Sequence, residues 1–295
     1  CLEMSDIYQY SDVMRVVKAP IYPEPNIKGR GLVHYGDKII EFQTALACEG
    51  DSAFDRNDAI RERILKINRI DTGKPAKRIP VIPDKPIWDD YIKQEDYINI
   101  IKDNRFLPNG YNSETAAYSA IDLTSMLTYA ISGTKKSGKS TYMKTLILSC
   151  IDKDSEVCII EIGSSEFAQI ASNTGCRYIT DGQGIYDYAK NVLLAEAGIR
   201  ADKKKECMAL HLDDTEFFEA MLLYRRHCIF IPNMTMFLKE LYNRESKAFD
   251  SVNVYEILVG EKGYHYNFYF FAEINDNDIG EILGYKFMQS FKDNG

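Results

Sequence analysis

The residues best suited to chemistry form one short stretch, Gly133-Thr134-Lys135-Lys136-Ser137-Gly138-Lys139-Ser140-Thr141, which satisfies GxxxxGK[ST] at every fixed position. Each residue type there has a physical task. Glycines admit the backbone angles that turn successive N–H groups toward one anion, and a helix starting near Lys139 adds its positive end. Lys139 is placed to reach the terminal phosphates of a nucleotide, and the Ser140 hydroxyl to coordinate Mg2+. The whole stretch Gly133 to Thr141 is therefore read as a nucleotide-binding loop for ATP with Mg2+. The alternative is a structural glycine turn.

A loop of this kind needs an acid at the end of a second buried strand to hold magnesium, and usually another to polarise water. The strand suited to that task is HCIFI, residues 227–231, and it runs into Pro232-Asn233. Asn233 can hydrogen-bond a magnesium-bound water, but it carries no charge and is a poor general base. Glu161 in EVCIIEIG and Glu273 at the close of YFFAE are the substitutes, and each could face the carboxyl edge of a sheet, where ligands bind. The reading favoured for each is a solvated strand-end acid. Glu161, Asn233 and Glu273 thus stand as weak catalytic candidates, and binding is better supported than hydrolysis.

The elements around the loop read as strands alternating with helices from about residue 88 onward, the pattern of a parallel sheet flanked by helices. MLTYAISG is a buried strand, and STYMKTLILSCI a helix with Met143, Leu146, Ile147 and Cys150 along one side. EVCIIEIG, CRYITD, HCIFIP and YNFYFFAEI are further strands, and the near-continuous apolar runs suit strands buried on both faces. GIYDYAKNVLLAEAGIRADKKKECMAL is a long helix whose charged Asp202 to Glu206 stretch is read as flexible. MTMFLKELYNRE is another helix.

The first ~80 residues differ. A short helix in CLEMSDIYQYSDVMRVV precedes a proline- and glycine-rich segment. LVHYGDKIIEFQTAL then reads as a hairpin about Tyr35-Gly36-Asp37, and AFDRNDAIRERILKINRI as an amphipathic helix with Ile60, Ile64, Leu65, Ile67 and Ile70 at near-helical spacing. DTGKPAKRIPVIPDKPIW follows, with four prolines and one glycine in eighteen residues, and serves as a linker. The expected division is 1–82, a strand/helix appendage with its proline-rich linker, and 83–295, the main domain.

Composition weighs on several classes. The 295 residues are 45% hydrophobic and 27% charged, which fits a soluble globular chain. A net charge of -8 weighs against duplex nucleic acid as a partner. Seven cysteines scattered singly, with no CxxC, suit reduced thiols rather than disulfides or zinc. His34, His211, His227 and His265 lack metal-ligand spacing, and HLDDTEFFE reads as a helix N-terminus or a divalent-ion site. No apolar run approaches the ~18 residues of a membrane span. The chain starts at Cys1 and is expected to be a piece of something longer, with any membrane anchor outside it.

With these features in place, the chain resembles the FtsK/SpoIIIE-type ATPases, and within them the C-terminal module of EssC-type type VII secretion ATPases. The resemblance rests on LPNGYNSETAAYSAIDLTSMLTYAISGTKKSGKSTYMKTLI, and continues through CIIEIGSSEF, the Arg200-bearing helix, IFIPNM and NFYFFAE. It implies a RecA-like P-loop domain over 83–295, with 1–82 holding the tail of a preceding ATPase module. It further implies Mg-ATP binding with weak or absent turnover, because Pro232-Asn233 stands where active members keep acids. The implied partners are other ATPase modules of the same chain, secreted protein substrates and further copies in a homo-oligomer. The implied location is the cytoplasmic face of the bacterial membrane. An active DNA-translocating motor and an interaction module with a relic loop are the competing readings.

Overall fold

The computed structural model describes residues 7–17, 20–23, 27–71, 73, 81–125, 127–260, 263 and 266–293. Cys1, much of the proline linker, Tyr264 and His265 lie outside the described residues. Internal contacts divide the chain into two units, Cys1–Arg78 and Ile79–Gly295.

In the first unit, helix α1 (Ile7–Met14) is followed by strands β1 (Arg30–Tyr35) and β2 (Lys38–Gln43), paired antiparallel from Arg30↔Gln43 to Tyr35↔Lys38. Gly36 takes φ +58 in the tight turn, where a side chain would be strained. Tyr10, Met14 and Leu32 form the small core. Arg30 lies on β1 beside Gln43 and Glu41. Helix α2 (Ala53–Ile70) starts at a capping box, with Ser52 accepting from the Asp55 N–H and Asp55 accepting from the Ser52 N–H. Its apolar positions differ from expectation in one respect: no α2 side chain is buried, and Ile64, Leu65, Ile67 and Ile70 are at least half exposed. The helical period is present, but no described neighbour covers the stripe.

The second unit opens with helices α3 (Trp88–Tyr91) and α4 (Glu95–Lys102) and the antiparallel pair β3 (Phe106–Tyr111) and β4 (Tyr118–Asp122). Five strands then form one parallel sheet: β5 (Thr128–Gly133), β6 (Glu156–Ile160), β7 (Arg177–Ile179), β8 (His227–Ile231) and β9 (Phe268–Asn275). Their spatial order is β5-β9-β8-β6-β7. The last strand in sequence is therefore inserted between the first and the fourth.

Successive residues of the buried strands serve opposite faces. Val157, Ile159, Cys228, Phe230, Tyr269 and Phe271 pack with Met143, Leu146, Ile147 and Cys150 of helix α5 (Lys139–Asp152). Cys158, Ile160, Ile229, Ile231, Phe268 and Phe270 pack on the other face. That face is covered by α7 (Gly182–Tyr188), α8 (Leu194–Ala209), α10 (Met234–Leu241), α11 (Val252–Leu258) and the helix Lys286–Asp293; α6 (Ala168–Thr174) and α9 (Asp214–Met221) complete the main helices. Both faces of the sheet are dry, which is why the strands read as unbroken apolar runs.

The stretch Asp202 to Glu206, expected to be flexible, is regular helix within α8. Lys203 pairs with Glu206 at 3.0 Å and Lys205 with Asp202 at 2.8 Å, one turn apart on the surface. A run of charges there is a solvated helix face, not a break. Arg200 of α8 is closed to solvent and donates to the carbonyls of Tyr266 and Arg225, tying the helix to the N-terminal edge of the sheet. The six described cysteines are unpaired, and no group of metal-ligating side chains occurs among the described residues. No described helix is long and apolar enough to cross a membrane.

His227, at the start of β8, is buried and stacked on Phe268. Burial, with the nearby charges of Arg200, Arg225 and Arg177, pushes its pKa down to about 3. The unfolded chain takes this proton near pH ~6.5 and the folded protein only near 3, so stability is full above ~6.5 and is lost as the pH falls between the two values. Urea unfolding of His227→Phe, run from pH 7 to pH 4, is expected to show a flatter acid limb than the parent protein. Parallel curves would remove His227 from the acid response.

Candidate nucleotide-binding site

The loop between β5 and α5 takes three positive backbone angles, two of them at glycines, which adopt them freely. Gly133 sits at φ +152, Lys136 at +65 and Gly138 at +93. A Cβ on Gly133 would come within 2.9 Å of the Ser137 hydroxyl, so the close approach requires glycine. Gly138 is the N-cap of α5, and the first helical residues are Lys139 and Ser140. The unsatisfied N–H groups of the first helical turn therefore open onto the loop. Lys139 is almost entirely closed to solvent at 7% exposure, and its ammonium donates to the carbonyls of Gly133 at 3.0 Å and Thr134 at 2.9 Å. Beside the loop, Gly133, Thr134, Lys135 and the Asn275 to Asp278 segment line a cavity of about 360 Å3.

Three carboxyl or amide candidates were singled out by sequence, and the fold treats them differently. Glu273 comes to the loop. The Ser140 hydroxyl donates to its Oε2 at 3.1 Å, and Lys139 Nζ stands 3.8 Å from its Oε1. Parallel pairing of Ile131 with Glu273 and of Gly133 with Asn275 fixes this placement. Burial pushes the Glu273 carboxyl above the ordinary range, opposed by the Ser140 hydrogen bond and the Lys139 charge.

Glu161 is not a solvated strand-end acid. It is fully buried and accepts four hydrogen bonds, from the Ser164 hydroxyl at 2.6 Å, the Tyr178 hydroxyl at 2.7 Å, and the N–H groups of Glu166 at 2.8 Å and Phe167 at 3.0 Å. Burial would raise its pKa, but these donors together hold it below the usual carboxylate value. Its oxygens are consumed in pinning the turn after β6 to β7. Asn233 is the N-cap of α10, its side-chain oxygen accepting from the Met236 N–H at 3.1 Å. It follows β8, which β9 separates from the loop strand β5.

Sequence reasoning did not single out Asn275, Asp276 or Asp278, which line the cavity by the loop. The signal was available as the polar NDND run directly after the apolar strand. The HLDDTEFFE cluster resolves as a helix start: Asp213 accepts from the Glu216 N–H, and Glu216 accepts from the Asp213 N–H.

A five-stranded parallel sheet with helices on both faces, a strand-loop-helix phosphate cradle at β5, and a second strand inserted beside it define the RecA-like P-loop ATPase fold. The comparisons agree with it. No family model matches the chain. Over 100 residues it is 29% identical to the type VII secretion system protein EssC of Staphylococcus aureus (strain MRSA252), a stretch covering 34% of this chain and 7% of that protein. The cytoplasmic domain of EssC shares the fold at a TM-score of 0.62 and 16% identity, over 98% of this chain and 53% of that one. EssC (ATPases 2 and 3) from Geobacillus thermodenitrificans does so at 0.60 and 16%, over 98% and 50%. The conjugation coupling protein TcpA of pCW3, solved with ATPγS, follows at 0.52 and 14%, over 80% of this chain and 68% of that one. The chain thus spans about half of the solved EssC structures and a small part of full-length EssC. The resemblance to an EssC-type module of the FtsK/SpoIIIE-type ATPases stands on both the sequence match and the fold.

Two substitutions separate structural from binding roles. Glu161→Gln is expected to cost about 1–3 kcal/mol at neutral pH, because it replaces a fully hydrogen-bonded carboxylate with an amide that disrupts two of the donors. The native pKa is depressed, so this stabilisation is present above the unfolded value near ~4.3 and is lost as pH falls through the folded value. The deficit measured by urea unfolding should therefore shrink in acid. Asn233→Ala should cost about 1 kcal/mol through loss of the α10 cap.

Proposed function

We propose that this chain is a nucleotide-binding module of a type VII secretion ATPase, holding Mg-ATP at Gly133 to Thr141 and turning it over slowly or not at all. The observation that carries the reading is the convergence of Lys139, Ser140 and Glu273 at the start of α5. In the bound state the Lys139 ammonium would leave the loop carbonyls for the terminal phosphates. The Ser140 hydroxyl would turn its oxygen to magnesium, and Glu273 would be the nearby carboxylate that holds a magnesium-bound water. Backbone N–H groups from Thr134 to Thr141 would cradle the phosphates. An ATPγS-bound relative of the same fold is consistent with this assignment.

Weak turnover follows from what surrounds that carboxylate. Of the three candidates, Glu273 is the one placed to serve the metal, whereas Glu161 is consumed in its own turn and Asn233 is a helix cap without charge. A second acid free to polarise water is lacking in β8, where Ile231 runs into Pro232. The two solved EssC chains hold more than one ATPase module's length, and we infer neighbouring modules of the same chain as the partners of this one. Export of protein substrates, assembly with further copies, and a place at the cytoplasmic face of the membrane belong to the same proposal. So does the origin of the first unit as the tail of a preceding module. The acidic net charge of -8 disfavours the DNA-motor alternative.

Calorimetric titration checks the reading. Mg-ATP should bind the parent protein, and Lys139→Ala should weaken it at least about tenfold through loss of a charge-assisted contact. Glu273→Gln should lower the affinity for Mg-ATP while leaving metal-free ATP nearly unaffected, and Asn233→Ala should change neither. Robust steady-state hydrolysis would sink the slow-turnover part, and binding insensitive to Lys139 would sink the site.

A further inference from the structure

At the far end of α5 from the phosphate loop lies another cavity of about 360 Å3, with Lys153, Arg225, Arg226, Asn104 and Asn267 in its wall. Helix α5 has 14 residues, which at ~1.5 Å each separates its two ends by about 20 Å. The cavity therefore sits at the N-terminal edge of the sheet: Lys153 follows α5, Arg225 and Arg226 run into β8, and Asn267 into β9.

Three cations meet in this wall, in a chain whose net charge is -8. Arg225 is balanced, its Nη2 pairing with Asp154 at 3.0 Å and its Nη1 with Glu156 at 2.7 Å. Lys153 and Arg226 are not: no carboxylate among the described residues forms an ion pair with either. Both donate to neutral carbonyls instead, Lys153 to those of Ile101 at 2.8 Å and Asp103 at 2.7 Å, and Arg226 to that of Asn104 at 2.6 Å. The Asp103 carboxylate is engaged by Arg105 at 2.7 Å. Arg226 is only 6% exposed and lies over the Tyr269 ring at 5.6 Å. A cation closed off this far is costly without a matching anion. Burial and the Arg226 charge push Lys153 down to about 8, as two neighbouring cations short of a counter-charge require.

The cavity adjoins one of about 550 Å3, sharing Asn104 and Leu222 with it, and Phe218 extends the apolar wall there. Leu223, also in the wall of the first cavity, is 83% exposed. Guanidinium forks and an ammonium suit a tetrahedral oxyanion. Leucine and phenylalanine beside them suit an organic group attached to it.

We propose that this cavity is a binding site for a small phosphate monoester, with the phosphate between Lys153 and Arg226, Arg225 at the rim, and the organic group over Leu222 and Phe218. Three observations carry it: the cavity itself, the two cations without an acid, and the apolar wall that continues from them. The site shares no residue with the phosphate loop and does not depend on what that loop holds.

The test is calorimetric titration of the 295-residue chain with inorganic phosphate and, separately, with phenyl phosphate. The chain carries Lys139→Ala, which removes the loop lysine as a competing phosphate ligand, and about 0.15 M NaCl screens loose attraction. Both ligands should bind, phenyl phosphate roughly fivefold tighter through its buried ring. Arg226→Gln should weaken both roughly tenfold through loss of a charge-assisted contact. Leu223→Asp sets a carboxylate in the wall at an exposed position that the fold does not need, and should weaken both by a similar factor. If Arg226→Gln does not fold, Leu223→Asp decides alone. No heat from either ligand at about 10 mM, or binding that Leu223→Asp leaves unchanged, would overturn the site. Equal affinity for the two ligands would overturn the ester assignment and leave a site for free phosphate.

Discussion

Everything at the candidate site depends on the parallel pairing of β9 with β5. That pairing brings a strand from near the end of the described chain alongside the strand that feeds the phosphate loop, and sets Glu273 opposite Ile131. From there its carboxylate meets Ser140 and Lys139. The pairing is held by residues buried on both faces: Phe270 and Ala272 toward one core, Tyr269 and Phe271 toward the other. Because a one-residue slip would send each of these side chains to the opposite face, the register is strongly specified. Core packing therefore decides where an acid stands in the site.

The same logic distributes the remaining polar groups. Glu161 and Asn233 lie at strand ends, where an acid or amide can serve either a ligand or the turn that follows. Local chemistry selected the turn for both. Glu161 meets four donors within the β6 turn and its neighbour β7, and Asn233 meets the open N–H of α10. Glu273 has no such local partner in its own turn and reaches Ser140 instead. Burial without full hydrogen bonding leaves its carboxyl raised, whereas Glu161, fully bonded, is lowered. The two strand-end acids of one sheet thus shift in opposite directions, one held by its own turn and the other facing the phosphate loop.

Much of this was legible in the sequence because the signals are local. The loop motif needs only its own residues, and the helix read in AFDRNDAIRERILKINRI has the bounds of α2, Ala53–Ile70. The apolar runs VCII, HCIFI and FYFF became the central strands. Strand order was not legible, since periodicity says that FYFFAE is buried but not that it lies next to TYAISG. For that reason Glu273 could not be preferred over Glu161 from sequence. The Asp202 to Glu206 stretch misled because dense charge reads as disorder when the i,i+3 pairing is overlooked.

The central claim is that Lys139, Ser140 and Glu273 together form a Mg-nucleotide site. A crystal structure of the chain with Mn2+ and a non-hydrolysable ATP analogue tests it most directly, because the metal can be placed by its anomalous scattering. Expected is one Mn2+ bonded to the Ser140 hydroxyl oxygen, with the Glu273 carboxylate on the metal or one water away and the Lys139 ammonium on the terminal phosphates. Metal bound elsewhere, or nucleotide bound with Glu273 turned away from it, would contradict the claim.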